Sequence, residues 1–292
     1  MFWEQLINGL TLGSTYALIA LGYTMVYGIV QLINFAHGEV YMIGAFVGLF
    51  LVTALGVNIF IAILGAMAFC ALLGMLIERV AYRRLRKFSR LSALISAIGV
   101  SIFLSTLVVI IRGGTNTVSY PESAFKLVSF QIGSIQISSM QVLILVVAAL
   151  LMVGLHVLVR YTKIGLAMRA CARDLDAAAL MGVYVDRVIG ITFGIGSALA
   201  ATAGVLVGIA FSSVEPYMGA KVGLKAFSAA VLGGIGSIPG AMLGGLMLGT
   251  LETFGTAYLS SSYKDAFAFG ILIIVLIIRP QGLLGKPIIK KV

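Results

Sequence analysis

The sequence predicts an all-α, polytopic membrane protein with eight or nine membrane segments. Hydrophobic residues make up 61% of the chain, charged residues only 10%, and the mean hydropathy is +1.12. Soluble domains carry about 25% charged residues, so a water-soluble fold is excluded. Several apolar runs reach the ~20 residues with which a helix crosses a hydrocarbon layer. The short alternating segments of a membrane β-barrel are absent from the sequence.

Hydropathy places the individual spans, with Lys and Arg marking their boundaries. The predicted spans are residues 6–30, 40–56, 59–78, 92–111, 140–159, 188–211 and 266–278. The first run has no basic segment before it and no small-residue cleavage site after it, so we expect a retained helix rather than a signal peptide. Residues 1–292 are expected to form a single transmembrane domain.

The net charge of +10 indicates membrane topology rather than nucleic-acid binding. Basic residues cluster at the ends of apolar runs, where the positive-inside rule puts them. Segments 78–90, 165–187 and 286–292 are therefore expected to be cytoplasmic, and the N-terminus to lie outside. Cys70 lies in an apolar run and Cys171 in a polar segment, so no structural disulfide is expected.

The apolar stretch 226–259 is rich in glycine and determines whether the number of membrane crossings is odd or even. A cytoplasmic C-terminus requires an odd number of crossings after residue 215. This stretch must therefore supply two short crossings, unless the span assignment is wrong. The glycines from Gly233 to Gly249, together with a proline, predict a broken or re-entrant segment. Such backbone is tolerated at membrane depth where protein buries it or where it lines a water-filled cavity. The candidate pathway residues are Gly233, Gly234, Gly236 and Pro239. The alternative is close helix packing, through Gly245 and Gly249, against a neighbouring subunit.

Four polar residues lie in or beside the apolar runs. Asn34, His37 and Glu39 stand at the junction of the first two spans, and ionisable groups near membrane depth are candidates for a pathway or gate. The predicted topology makes this junction a short turn near the cytoplasmic surface. There Asn34 could cap the second helix and Glu39 could face its positive dipole end. Glu252 is either a pathway residue or a capped acid near an interface.

A polar island at residues 165–187 separates two long apolar runs. Its alanines favour a short helix over residues 172–181, and Gly182 suits the position after the last turn. Arg169 and Arg173 are four residues apart and share a face. The helix also has an apolar surface with small side chains that could enter a groove on another protein. It is formed by Ala178, Ala179 and Met181. The alternative is an ordinary cytoplasmic linker whose charges anchor the topology.

The island resembles the E-A-A-x-x-x-G motif of permeases in importers of the ATP-binding-cassette class. Asp176 takes the place of Glu, and the downstream Ile-x-Leu-Pro of the longer pattern is missing. In that class the motif forms a coupling helix that seats on an ATPase subunit. The resemblance therefore assigns loop 160–187 to coupling, with the candidate residues Gly165, Arg169, Arg173, Asp176, Ala177, Ala178 and Gly182.

Three longer stretches, in order along the chain, resemble the permeases of branched-chain amino-acid importers. They are "NGLTLGSTYALIALGYTMVYGIVQLINFAHGEVYMIGAF" at 8–46, "AAVLGGIGSIPGAMLGGLMLGTLE" at 229–252 and "RPQGLLG" at 279–285. The resemblance implies the shorter of two paired permease subunits, in the bacterial inner membrane, with two cytoplasmic ATPases and a periplasmic binding protein. The sequence has no G-x-x-x-x-G-K-[ST] phosphate loop, so ATP would be bound by the ATPase partners. No cofactor, metal site or catalytic residue is expected in this chain.

The resemblance implies leucine, isoleucine and valine as substrates, although related permeases handle urea, short amides or other amino acids. An ion-coupled secondary transporter is the first rival, but such proteins call for acidic groups at the membrane midplane, and this chain offers few. An intramembrane enzyme is the second rival. With two histidines and no metal-ligand spacing, the sequence gives it little support.

Overall fold

The computed structural model describes residues 2–87, 89–121, 128–132 and 135–285, which are predominantly helical. The helices are α1 (Phe2–Val30), α2 (His37–Leu55), α3 (Ile59–Ile77), α4 (Arg90–Arg112), α5 (Ser139–Tyr161), α6 (Lys163–Arg173), α7 (Leu175–Leu180), α8 (Val185–Ala210), α9 (Met218–Gly233), α10 (Ile238–Tyr258) and α11 (Lys264–Ile278). A π-helical turn, Glu78–Tyr82, extends α3, and short 3-10 turns occupy Leu85–Lys87 and Ser261–Tyr263. The strands β1 (Ser129–Ile132) and β2 (Ile135–Ser138) form an antiparallel hairpin between α4 and α5.

The predicted all-α polytopic fold is confirmed. Seven helical segments in the described ranges are long and apolar enough to cross a membrane: Phe2–Val30, His37–Leu55, Ile59–Tyr82, Leu91–Arg112, Ser139–Tyr161, Val185–Ala210 and Ser261–Ile278. The helices α9 and α10 fall outside this set. The first has only 16 residues, and glycines lower the hydropathy of the second. They occupy the stretch that was predicted to be broken.

Local sequence sets where the long helices begin and end. The Asn58 side chain accepts a 2.9 Å hydrogen bond from the Phe60 amide at the start of α3. Ser138 and Gln141 form a reciprocal capping box at the start of α5. These contacts satisfy amide groups that a helix start leaves unpaired. At Gly56 the backbone has φ +61°, a left-handed conformation that favours glycine and ends α2.

The helices α1 and α8 form the centre of the bundle, and α4, α5 and α11 lie at its periphery. Gly22 of α1 lies against Gly196 of α8, so the two backbones approach closely. The other face of α8 packs on α2, where Gly44 meets Ala201. Small residues allow this approach, since apolar burial alone gives little driving force between helices in lipid.

A second close packing joins α1 to α10. Gly249 contacts the Gly13 backbone, and Gly245 contacts Ala17, so an added side chain at either glycine would collide with α1. The G-x-x-x-G pair was expected to permit close helix packing, and this is confirmed. The neighbour is α1 of the same chain rather than a second subunit.

One end of the bundle gathers the connection after α3 and the island, both predicted to be cytoplasmic, whereas segment 286–292 lies outside the described residues. Arg83 and Arg86, after α3, pair with Asp186 at the start of α8. At the same end, Gly236, between α9 and α10, lies next to Gly28 near the end of α1. Since α8 and α10 both begin here, α9 has to return the chain through the bundle between them. The helices α9 and α10 therefore provide the two short passages that parity requires.

The polar segment between α4 and α5 is anchored to the bundle. Val118 pairs with Val214 in an isolated antiparallel bridge. Tyr120 enters the bundle, and its hydroxyl donates a 2.7 Å hydrogen bond to the carbonyl oxygen of Ala45. Burial raises the pKa of this phenol above its ordinary value. Nothing in the local sequence pattern indicates that this tyrosine is inserted.

Candidate functional sites

The connection between α1 and α2 turns back into the bundle. Residues 31–34 are non-helical, 35–36 form a turn, and α2 begins at His37. The His37 imidazole lies against Gly22, eight residues before the end of α1. At 1.5 Å per residue, this is about 12 Å inside the end of the helix. The predicted short turn near the cytoplasmic surface is therefore wrong, because Asn34, His37 and Glu39 are all buried.

Asn34 stabilises the turn that precedes α2. Its Oδ1 atom accepts a 3.1 Å hydrogen bond from the Ala36 amide and a 2.8 Å bond from the Tyr82 hydroxyl. Its backbone carbonyl accepts a 3.0 Å bond from the His37 amide. Asn34 was expected to cap α2, but the N-cap residue is Ala36, which has no side-chain cap. Asn34 lies two residues before the N-cap and stabilises the preceding turn.

Glu39 lies in the first turn of α2 and is only 2% exposed. Its Oε1 atom accepts a 3.2 Å hydrogen bond from the Ser101 hydroxyl of α4. Its Oε2 atom has no hydrogen-bond partner within the described ranges. The same holds for the Nε2 atom of His37, whose ring packs edge-on against Tyr23 with a centroid separation of 4.8 Å. The junction therefore contains buried polar atoms that are left unsatisfied.

A cavity of about 230 Å³ lies beside this junction, between α1, the α1–α2 connection, α4 and α9. It is lined by Tyr23, Phe35, Ile98, Ser101, Gly219, Ala220, Gly223, Leu224 and Phe227. Two lining residues, Ser101 and Gly219, also contact Glu39. Drug-sized ligand pockets measure roughly 300–1,000 Å³, so this space suits a smaller solute. Sequence reasoning identified Glu39 but none of the lining residues, because only the tertiary packing of α4 and α9 brings them together.

The glycine-rich segment is broken as predicted. Gly234 and Gly236 have φ values of +105° and +89° and lie between α9 and α10, whereas Pro239 is in the first turn of α10. The carbonyl oxygens of Leu232 and Gly233 accept 2.9 Å hydrogen bonds from the amides of residues 283 and 284. The "RPQGLLG" stretch therefore folds back onto the end of α9. Backbone carbonyl groups at this break are therefore hydrogen-bonded within the chain. A pathway role for these residues stays a prediction.

Glu252 lies at the centre of a buried ion-pair cluster. Its side chain is 0% exposed and lies 3.0 Å from Lys225 and 3.1 Å from Lys264. The Tyr16 hydroxyl donates to the same carboxylate at 3.1 Å, and Lys225 also pairs with Asp265 at 2.6 Å. The cluster joins α1, α9, α10 and α11. Two acids and two lysines balance, so the geometry favours a structural role for Glu252 over a pathway role.

The polar island contains two helices where a single one was predicted. The expected helix over 172–181 is wrong in its bounds, because Asp174 adopts an extended conformation that separates α6 from α7. The Asp174 carboxylate accepts 3.0 Å hydrogen bonds from the amides of Asp176 and Ala177, and it thereby caps α7. Gly182 has φ +83° after α7, as its position predicted.

The predicted coupling residues divide between the two helices. Arg169 and Arg173 both lie on α6, where the Arg169 guanidinium donates a 2.9 Å bond to the carbonyl oxygen of Arg160. Gly165 packs against the carbonyl groups that end α5. Asp176 and Ala177 are exposed on α7.

The apolar surface of the island differs from the expected one. Ala178 is buried, so its assignment to an exposed docking surface is wrong. Leu180 and Met181 are 89% and 84% exposed, and Tyr184 is also exposed. We call Leu180, Met181 and Tyr184 the island tip. Large apolar side chains this exposed indicate a contact with lipid or with another protein.

A charged network that sequence reasoning missed supports the island. Glu78, fully buried in the π-helical turn, accepts a 2.9 Å bond from Arg83 and lies 3.5 Å from Arg86. Arg86 also pairs with Asp186 at the start of α8. The hydrogen bond from Arg83 to Glu78 raises the pKa of that guanidinium. The α3–α4 connection is thereby fixed to the chain just after the island tip.

These features define a polytopic membrane protein with a small, partly open cavity beside a buried acidic residue and an exposed apolar tip at one end. The fold is similar to a chain of PsaBC from Streptococcus pneumoniae in complex with Fab, with a TM-score of 0.50 over 96% of this chain and 92% of that one. The sequence identity is 13%, so the likeness concerns the fold alone.

Sequence comparison is more specific. Residues 5–276 match the family described as branched-chain amino acid transport system / permease component, and the chain belongs to that family. It is 50% identical to the high-affinity branched-chain amino acid transport system permease protein LivH of Salmonella typhimurium, over 100% of this chain and 98% of the relative. The corresponding protein BraD of Pseudomonas aeruginosa is 48% identical over the same shares. An archaeal relative, the probable permease LivH of Methanocaldococcus jannaschii, is 30% identical over 92% of this chain and 88% of its own length.

Proposed function

We propose that this chain is a membrane-spanning subunit of an ATP-driven importer for leucine, isoleucine and valine in the bacterial inner membrane. The two bacterial permeases named above support the substrate class, because they are about half identical to this chain over its full length. Helices of membrane length around a small, mainly apolar cavity fit the transport of an aliphatic solute.

The observation that carries the ATP-driven mechanism is the island tip. The tip residues are exposed at and just after the last residue of the short, capped helix α7, at the end of the bundle where the basic connections gather: Leu180, Met181 and Tyr184. We infer that this tip enters a groove on a cytoplasmic ATP-binding-cassette subunit, since an apolar helix in a groove is a common recognition mode. ATP would then be bound and hydrolysed by two such partners, and this chain would need no cofactor.

The island is rigidly attached to the bundle, as a coupling element has to be. Asp186, two residues after Tyr184, is held by the arginines of the α3–α4 connection. Through the π-helical turn, the same connection reaches Asn34 at the buried junction. Displacement of the tip would therefore move the start of α8 and the α3–α4 connection together, and would alter the cavity beside Glu39. A related permease subunit and a periplasmic binding protein would complete the pathway.

Reconstituted transport tests this function. The chain is co-expressed with the paired permease and the ATPase subunits from the same gene cluster, and the complex is placed in liposomes with the binding protein outside. We expect ATP-dependent uptake of labelled leucine that unlabelled isoleucine and valine inhibit. Uptake of urea or short amides in place of leucine would contradict the substrate class. Leucine uptake by this chain alone, without ATP, would instead support an ion-coupled secondary transporter.

A further inference from the structure

The cavity beside Glu39 is apolar except at one side. Ile98, Leu224 and Phe227 contribute aliphatic and aromatic surface. The polar groups on the wall include the hydroxyl of Ser101, which donates to Glu39. A serine hydroxyl that donates its proton to a carboxylate still has lone pairs, so Ser101 can accept a hydrogen bond from a group in the cavity.

The Glu39 carboxylate lies directly behind this wall. A Cβ atom added at Gly219, which lines the cavity, would lie 2.7 Å from Oε2, so this oxygen lies against the backbone of the cavity wall. Oε2 has no hydrogen-bond partner in the described part of the chain, although the side chain is 98% buried. An unpaired buried carboxylate is costly, and a cationic group that approached it would relieve that cost.

The backbone around Glu39 favours its charged form. Glu39 is in the first turn of α2, and α9 begins beside it, where Gly219 contacts Gly38. Both helix starts present the positive ends of their dipoles to the same carboxylate. These partial charges are fixed in the fold and offset part of the cost of burying a carboxylate at this position.

We propose that Ser101 and Glu39 form the subsite that accepts the α-ammonium group of the transported amino acid. The ammonium donates to Ser101 Oγ and Glu39 Oε2, and the aliphatic side chain lies against Ile98, Leu224 and Phe227. This assignment rests on the proposed transport function and deepens it, because it names the group that the membrane pathway recognises. A glycine at 219 is required, since any side chain there would separate the carboxylate from the ammonium.

Ligand binding to the purified permease–ATPase complex, without the binding protein, tests the subsite. Binding of labelled leucine is measured in the presence of each of three unlabelled competitors. They are leucine, 3-methylbutan-1-amine, which keeps the ammonium, and 4-methylpentanoate, which lacks it. We expect the amine to compete and the acid to fail. Hydrogen bonds to charged groups are worth enough that Glu39→Gln should weaken leucine and amine binding about 10- to 100-fold, and Ser101→Ala about 5- to 10-fold.

Ser105→Ala is the matched control. Ser105 is on the same helix, and its hydroxyl bonds only within that helix, to the carbonyl oxygens of residues 101 and 102. We expect wild-type binding. Competition by the acid and not by the amine overturns the subsite, and so does unchanged leucine binding in both Glu39→Gln and Ser101→Ala. If Glu39→Gln fails to assemble, Ser101→Ala and the wild-type competition decide. A wild-type complex that binds the amine but transports no leucine overturns the proposed function and leaves the subsite intact.

Discussion

The hydroxyl of Tyr82 donates a 2.8 Å hydrogen bond to Oδ1 of Asn34, 48 residues earlier in the chain. Both side chains are buried. The bond links the π-helical turn after α3 to the turn that starts α2 inside the bundle. At the other end of the same π-helical turn, Glu78 is held by Arg83 and Arg86, which also contact Asp186. One turn of helix therefore connects the surroundings of the island to the buried junction.

Tyr82→Phe should weaken this connection without unfolding the protein. Asn34 Oδ1 would keep its bond from the Ala36 amide, so we expect a loss of only about 1 kcal/mol in the free energy of unfolding. Thermal unfolding of the detergent-solubilised protein measures the loss. Tyr258→Phe, at an exposed tyrosine outside the coupling loop, should change nothing. If the link transmits movement, ATP-driven uptake should fall more in Tyr82→Phe than its stability loss explains. Uptake equal to that of Tyr258→Phe would show that transport does not depend on this bond.

The α1–α10 contact should tolerate no added side chain. Gly249→Ala would force the two backbones apart, and overpacking of this kind costs about 1–3 kcal/mol or more. Gly99→Ala is the matched control, since Gly99 also lies within a helix but faces open space. This control should be neutral or up to about 1 kcal/mol more stable. Melting temperatures followed by size-exclusion chromatography compare the two, and equal values would contradict the packing described here.

Removal of the Glu252 charge should destabilise the bundle. Glu252→Gln leaves Lys225 with Asp265 as its remaining acid and takes the carboxylate away from the half-exposed Lys264, so we expect a loss of about 1–3 kcal/mol. Glu215→Gln breaks the exposed pair with Lys221 and should cost less than about 1 kcal/mol. Chemical or thermal unfolding of both variants measures the difference. A Glu252→Gln protein as stable as the wild type but inactive in uptake would instead favour a pathway role.

The island tip should be required for coupling but not for folding. Leu180→Asp places a charge on a side chain that we expect to enter an apolar groove, and it should abolish binding-protein-stimulated ATPase activity in the assembled complex. The control is Leu259→Asp, at an exposed leucine that ends α10 at the other end of the bundle. Its stimulated activity should be retained. Both variants should reach the membrane in normal amounts, and full stimulation in Leu180→Asp would exclude the tip from the ATPase contact.

Gly182→Val tests the backbone that aims the tip. Its φ of +83° is strained for a β-branched residue, whereas the surroundings offer open space. We therefore expect a local rearrangement that lowers stimulated ATPase activity several-fold. Strain of this kind is worth about 1–3 kcal/mol, so the melting temperature should fall by no more than several degrees. Gly182→Asn, which tolerates the left-handed conformation better, should recover part of the activity.

The sequence predicts those features that depend on local pattern. Apolar runs placed the spans, Gly182 ended a helix, and the glycines after residue 232 marked a break in the chain. Each of these follows from propensity or hydropathy over a short window. The capping of α7 by Asp174 is also a local signal, and it accounts for the two shorter helices in place of the one expected.

Contacts between distant helices could not be predicted in this way. Hydropathy shows that α2 is apolar but does not show that it begins about 12 Å inside the bundle. The partners of Glu39, Ser101 on α4 and Gly219 at the start of α9, lie 62 and 180 residues away in the sequence. The glycine pair of α10 gives the spacing for close approach, but nothing in that spacing identifies α1 as the neighbour.

The burial of α1 has a consequence for how the protein is made. Its tyrosine at position 16 bonds to a carboxylate 236 residues later, and its glycines pack on helices of the second half of the chain. During synthesis α1 enters the bilayer long before these partners exist, so the surface that ends in the core first faces acyl chains. Its own hydropathy has to hold it there as a single helix. During final assembly, protein replaces lipid around α1. The central helix is therefore inserted early but reaches its packed position late.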